Sequence, residues 1–477
     1  MSIGISTTEL EQFRQSLYQN FNNRADTLME LVDALCSSPT AQSVVELTLA
    51  PWFRRSYSTL YKALNTFHWE PLRLAEVLAP YLPAPQRRPF WLFGVDVTPQ
   101  PRLFAHTLVD RGMVYQPNAL KGNRPVTIGH QYSTVALLPE AEANLSPSWL
   151  VPLMTQRVAT CDDKELVGAG QIDGLLQDRH LPFHWSLCVE VGDTSYSKPE
   201  YLHANRRHPN LITVVRARGT RTFYRHRVDG AAGQAPGHPT WFGDAFSLKD
   251  PTTWYPPDET VTLTSVSRRG KRYRSELQAW HNLLMRGKRE PKPLPMHRGA
   301  LWAPFTLVRM VRYDEQGAQR APQVGEHPLW LIVIGQRRHE LRLVDIYRAY
   351  GQRYDLEHFF RFGKQKLLLV DFQTPETARE EQWWHLVQIA YAQLWMARHV
   401  AYLLPRPWER NLPAMRTRRM SPTLVQRDFG GIIRQLGTPA KPPKRRGNSP
   451  GRRQGTTLPP RPRQKVVVKS RLKATSP

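Results

Sequence analysis

The 477-residue chain carries 66 Lys or Arg against 40 Asp or Glu, a net charge of +26 with a pI near 10.3. That balance favours a polyanionic partner, nucleic acid ahead of an anionic membrane surface, and the length allows two or three domains with a substantial core. No run approaches the roughly 18 apolar residues of a membrane span, and the opening MSIGISTTELEQF lacks a basic-then-apolar signal pattern, so no membrane is expected. Cys36, Cys161 and Cys188 are too few and too far apart for a disulfide framework or a CxxC zinc site. The histidines contain no HExxH pair.

In chain order, residues 1–86 read as a helical domain, with apolar positions recurring at three and four through Phe13, Leu17, Phe21, Leu28, Leu31, Val32 and Leu35. Arg54 and Arg55 precede a short helix opening at Ser56 to Ser58. Two readings stand side by side: a DNA-end-binding helix-turn-helix reading DNA through Ser58, Tyr61 and Lys62, or an ordinary helical bundle. Pro83, Pro85 and Pro89 then mark a change to strand-like sequence.

FWLFGVDVT (Phe90–Thr98) is apolar enough for a central strand and carries Asp96 near its end. RLFAHTLVD (Arg102–Asp110) and HQYSTVALL (His130–Leu138) read as two further strands, and Lys164–Gln177 as a helix. WSLCVEVGD (Trp185–Asp193) repeats the first pattern, a buried strand delivering a carboxylate. A helix and the strand LITVVRARG follow. A lone aspartate at a strand end is ordinarily a turn or cap residue; two of them, each closing a core strand, point to a site. Further on, FYRHRV, TVTLTSVSRR, PFTLVRMVRYD and LWLIVIGQ supply short strands separated by Gly, Pro and charge.

The segment Tyr347–Lys366 reads YRAYGQRYDLEHFFRFGKQK. As one helix it places Tyr350, Arg353, Glu357, Arg361 and Lys364 on a single face. A surface stripe of i,i+4 ion pairs is the plain alternative. The Phe- and Leu-rich flanks argue instead for a packed helix whose carboxylate needs a cationic partner. Glu380–Leu404 reads as a long helix packed on the sheet, ended by Pro405 and Pro407. From Phe429 to Pro477 there is no Asp or Glu but 13 Lys or Arg, as expected of a disordered basic tail that binds phosphates without sequence preference.

The spacing Tyr350-x2-Arg353-x3-Glu357-x6-Lys364 resembles the Y-x2-R-x3-E-x6-K signature of bacterial insertion-sequence transposases, in the branch named after insertion sequence four. These enzymes belong to the DDE superfamily. The resemblance, covering roughly Phe90 to Leu404, implies an α/β fold: an RNase H-like catalytic core interrupted by a β-rich insertion, with an N-terminal helical domain and a disordered basic C-terminal tail. The expected divisions are 1–86 helical, 87–210 and 339–405 the two parts of the core, 211–338 the insertion, and 406–477 the tail. By resemblance Asp96, Asp193 and Glu357 are catalytic metal ligands, and Tyr350, Arg353 and Lys364 hold DNA phosphates. Trp330 is a candidate for stacking on a flipped base, against its ordinary reading as core, and Trp254 is a poorer one. The residues after Asp193, TSYSKP, match no family pattern closely.

Three carboxylates without Cys or His ligands suit Mg²⁺, with Mn²⁺ as substitute, and two ions serve in-line phosphoryl transfer. Asp110, Asp345 and Asp355 are rival ligands, though on one helix Asp355 points about 160° from Glu357. The resemblance further implies double-stranded DNA as partner, a homodimer holding two element ends, and a cytoplasmic, nucleoid-associated protein. The alternatives are an inactive or domesticated transposase-derived DNA-binding protein and a different metal-dependent nuclease on the same fold.

Overall fold

The computed structural model describes residues 5–116, 125–142, 145, 148–226, 242–266, 270–285, 303–314, 319–320, 328–403, 408–409, 419–444, 451 and 453–469. The helices are α1 (Thr7–Asn20), α2 (Ala25–Ser37), α3 (Tyr57–Thr66), α4 (Arg73–Leu78), α5 (Lys164–Gln177), α6 (Pro199–Arg206), α7 (Leu343–Gln352), α8 (Tyr354–Lys366), α9 (Thr377–Leu403) and α10 (Pro422–Leu436). The strands are β1 (Trp91–Pro101), β2 (Gly112–Tyr115), β3 (Val126–Leu137), β4 (Val151–Val158), β5 (Cys188–Gly192), β6 (Leu211–Arg216), β7 (Thr222–His226), β8 (Phe242–Ser247), β9 (Glu259–Val266), β10 (Arg272–Leu283), β11 (Phe305–Tyr313), β12 (Gln319–Arg320) and β13 (Leu329–Ile334). The chain divides into two compact units: one of residues 1–84, 97–167 and 354–477, the other of 85–96 and 168–353.

The first unit is built around α9. Trp383, Trp384, Tyr391 and Trp395 are wholly buried along it, each large ring contributing about 1.5–3 kcal/mol of burial. Helices α1, α2, α3 and α10 and strand β4 pack against this helix. Helix α1 begins in a capping box: Glu9 N–H donates to Ser6 Oγ at 3.2 Å and Ser6 N–H to Glu9 Oε2 at 2.7 Å. Strands β2 and β4 pair with successive stretches of β3. Gly129 is required on β3 because a Cβ there would lie 2.1 Å from Gln100 O.

A buried knot ties sheet to helix. Glu380 of α9 accepts from Arg102 Nε at 2.5 Å and from Tyr132 OH at 2.9 Å, and lies 2.7 Å from His130 Nδ1. Burial alone would raise this carboxyl; His130 and Arg102 hold it below its ordinary value.

Two expectations fail in this unit. Arg102–Asp110 is not a strand but a series of turns. Arg111 NH1 donates to Arg102 O and Leu103 O, taking carbonyls that a sheet partner would use, and Asp110 adopts φ +56°. The stretch from Phe429 expected to be disordered begins inside α10, which buries Phe429, Ile432 and Ile433. Farther along, Gln464 N–H donates to His106 O and Val467 N–H to Arg111 O, both at 2.7 Å. Pro405 and Pro407 lie outside the described residues.

In the second unit the strand order is β1-β5-β6-β13-β11-β10-β9, with β7 and β8 forming a separate ribbon. The first three strands are parallel and the rest antiparallel. Residues of β5 alternate between faces. Glu190 pairs with Phe93 and Thr213 on the face covered by α6, while Asp193 falls on the other face, where α7 lies. The strand-like runs after residue 219 form β7, β9, β11 and β13 in their described residues, while β8 and β10 carried no sequence expectation.

Candidate active site

The two strand-end aspartates come level. Strand β1 pairs with β5 through Gly94 and Val191, so two residues on, Asp96 stands opposite Asp193, which caps the turn Thr194–Ser197. Asp193 Oδ1 accepts from Ser195 N–H and Ser195 Oγ, each at 2.7 Å, and this closes the turn tightly. Gly192 is needed beside it: a Cβ would meet the Tyr196 ring at 3.0 Å.

The signature residues of α7 join this pair. Arg353 NH1 lies 3.8 Å from Asp96 Oδ2, and its guanidinium stands 6.0 Å from the centre of the Tyr350 ring. Tyr350 is 2 % exposed. Burial raises its phenol and the Asp193 charge adds to that, while Arg353 and Arg216 oppose it. Asp96, Asp193, Tyr350, Arg353 and Arg216 are thus one charged cluster over the carboxyl ends of β1, β5 and β6. Arg216 had no sequence signal beyond its place at the end of LITVVR.

Glu357 and Lys364 belong to the first unit, on α8, where Lys364 Nζ donates to Thr98 Oγ1 at 2.7 Å. The single helix expected across Tyr347–Lys366 is interrupted at Arg353, whose N–H bonds to Tyr350 O at 3.2 Å, one residue short of α-helical spacing. Arg361 is exposed and lines a separate cavity of about 200 Å³ with His358 and Lys366.

The rival carboxylates are otherwise engaged or apart. Asp110 is bound by Arg157 at 2.5 Å and Asp345 by Arg342 at 2.7 Å. Asp355 is pushed up to about 7 by burial. Trp330 is 2 % exposed, its indole set among Trp254, Trp280 and Phe246 with Arg309 nearby; in this conformation no face of it is open to a base. Trp254 is half-buried and stacks on Phe246 with ring centres 6.0 Å apart.

Oxygen donors alone, on two adjacent strand ends, are a set that suits a hard divalent cation. Among the described residues no three His, Cys, Asp or Glu side chains are gathered as a ready-made metal centre, and Arg353 stands on Asp96 as its counter-charge.

Residues 16–285, more than half of the chain, match the family described as DDE superfamily endonuclease. The chain belongs to this family. The matched span of this DDE endonuclease holds Asp96 and Asp193 and ends before Tyr350, Arg353, Glu357 and Lys364. No curated protein matches the chain. Among the described residues no helix is long and apolar enough to cross a membrane.

Proposed function

We propose that this DDE endonuclease is an insertion-sequence transposase of the branch named after insertion sequence four. It cuts the ends of its element and joins the freed 3′-hydroxyls to target DNA. The observation that carries the reading is the level placement of Asp96 and Asp193 on adjacent parallel strands, with Tyr350 and Arg353 of the signature beside them. Family membership supports a nuclease acting on DNA.

In this reading Asp96, Asp193 and Glu357 hold Mg²⁺ or Mn²⁺, two ions in all, which when bound activate the attacking oxygen and stabilise the leaving one. Arg353 and Lys364 hold phosphates near the cut, the former as a planar fork and the latter as a point charge. Tyr350, with its phenol kept protonated by burial, donates to a further phosphate oxygen. A divalent cation held by Asp96 would supply the counter-charge that Arg353 now gives it, leaving Arg353 to hold a phosphate. The protein acts as a dimer on two element ends in the bacterial cytoplasm.

The test is divalent-metal-dependent cleavage of DNA carrying the element's ends, comparing wild type with Asp96→Asn, Asp193→Asn and Glu357→Gln. Cutting by wild type with at least a hundredfold loss in each variant, and DNA binding retained, is expected. Cutting retained in Glu357→Gln removes that residue from the ligand set. Binding without cutting by wild type in both metals turns the assignment to a repurposed DNA-binding protein.

A further inference from the structure

The carboxyl ends of β1 and β5 are one end of the second unit's sheet, and the register shows which residues share it. Strand β6 runs parallel to β5 and ends at Arg216, with Arg218 just beyond. Strand β13 is antiparallel to β6, and β11 to β13, so the far end of β11, Arg312 and Tyr313, returns to the same end. Strand β10 pairs Arg274 with Tyr313 and therefore starts there, with Arg272 outermost. The rim that begins at Asp96 and Asp193 thus continues through Arg216, Arg218, Arg312, Arg272 and Arg274. Arg216, Arg218, Arg272 and Arg274 are exposed; Arg312 is half-buried over the Tyr273 ring at 3.9 Å.

The opposite rim, at the amino end of the parallel strands, also carries cations, but part of them sit on carboxylates: Arg207 lies 3.5 Å from Asp173 and Arg337 2.6 Å from Glu340, while Arg338 faces Arg206. Among the described residues Arg216, Arg218 and Arg274 make no carboxylate ion pair. Arg274 stands over the Tyr313 ring at 5.0 Å, which orients its guanidinium without neutralising it. Among the described residues, Glu200 acts on Arg221 and Asp314 follows Tyr313 at this end. Arg221 lies close by, its guanidinium lowered first by burial and then by Arg218, with Glu200 opposing.

We propose that this rim is a DNA-backbone track leading away from the cleavage site along the β-rich segment. Five strand spacings of about 4.8 Å separate β1 from β10, roughly 24 Å. That length matches about seven base pairs at 3.4 Å each. The partner is duplex DNA because the cations are strung along a line at strand spacing rather than gathered in a pocket. No base-reading pattern accompanies them, so the contact is to phosphates and independent of sequence. This inference rests on DNA being the substrate, though not on the cut itself.

The experiment measures affinity against salt concentration without divalent metal, on a duplex carrying the sequence that flanks the protein's own gene. Arg218→Gln/Arg274→Gln removes one charge just beyond β6 and one from β10. Arg179→Gln/Arg207→Gln removes two from the opposite rim, Arg179 lying between α5 and β5 and Arg207 between α6 and β6, and Arg218→Lys/Arg274→Lys keeps the charge. The track requires the first variant to lose up to about 1.8 units of the slope of log K against log [salt], about 0.9 per phosphate contact. The lysine variant retains the slope and the opposite-rim variant leaves it unchanged. An unchanged slope in Arg218→Gln/Arg274→Gln, or an equal fall in the opposite-rim variant, overturns the track while leaving the nuclease reading intact. Wild type that binds no duplex at all overturns both. Because no metal is present, a failure of cleavage does not affect the result.

Discussion

Glu190 shows how a residue next to a candidate site escapes sequence reading. It is wholly buried in CVEVGD, where its neighbours spell a core strand. Its carboxyl receives Tyr201 OH and Asn205 Nδ2 of α6 and Thr213 Oγ1 of β6, and burial pushes it up to about 8. A protonated carboxyl in the fold and an ordinary one in the unfolded chain fix the sign. Between about pH 4.5 and 8 the folded state holds the extra proton, so stability falls as pH rises through that window and levels above it. The drop is on the order of a few kcal/mol. Asp355, raised to about 7, adds to the same trend below that value. Urea unfolding at several pH values should show Glu190→Gln flattening the upper part of the profile; a slope unchanged between pH 7 and 8 would rule Glu190 out as its source. Asp96 and Asp193 were legible because apolar runs announced buried strands and each run closed on an acid. The partners of Glu380 were not, since they lie some 250 residues from it in the chain, and Glu190 was not, since its partners come from the next helix and strand rather than from its own run.

Elements were legible where burial dictates period. Strands β1, β5, β6, β11 and β13 and helix α9 stand close to where their apolar runs placed them. One error came where a side chain competes for backbone groups, Arg111 claiming the carbonyls of the supposed second strand, and the other where the signature helix breaks at Arg353, whose own N–H bonds to Tyr350 O. Strand β4 has no matching expectation because VPLMTQRV alternates poorly and opens on a proline-interrupted run. Two consequences belong to this scale. Gly192→Ala forces the Asp193 turn to shift against Tyr196, so cleavage should fall at least tenfold while the melting temperature moves by only a few degrees. Glu380→Gln leaves Arg102 buried beside a neutral amide and should cost about 3–5 kcal/mol in chemical denaturation, with Arg102→Met/Glu380→Leu recovering part of the loss.

For the whole molecule, net charge was the surest guide. The basic C-terminal segment was expected to serve as a phosphate-binding arm, and its described part pairs with the turns after β1 while leaving Arg453 and Arg463 exposed. Removing residues from 445 onward keeps α10 and should flatten the salt dependence of DNA binding. An unchanged slope would make the segment a structural strap alone.

The first unit is assembled from three separated stretches of chain, and this has a consequence for its synthesis. Helices α1 and α2 bury Leu10, Phe13, Leu17 and Leu28, and Arg14 and Asp33 share hydrogen bonds with Gln393 of α9. Their partner helix begins at Thr377, about 290 residues after the first stretch ends. At roughly 5–20 residues per second the ribosome needs some 15–60 s to deliver it. During that interval α1, α2, α3 and α4 have one another to pack on, but the part of α1 and α2 that α9 covers has no native partner. A nascent chain stalled before α9 should therefore be captured by chaperones and degraded, while one released after α10 should resist protease, so production of this protein in a cell is limited by elongation time as much as by stability.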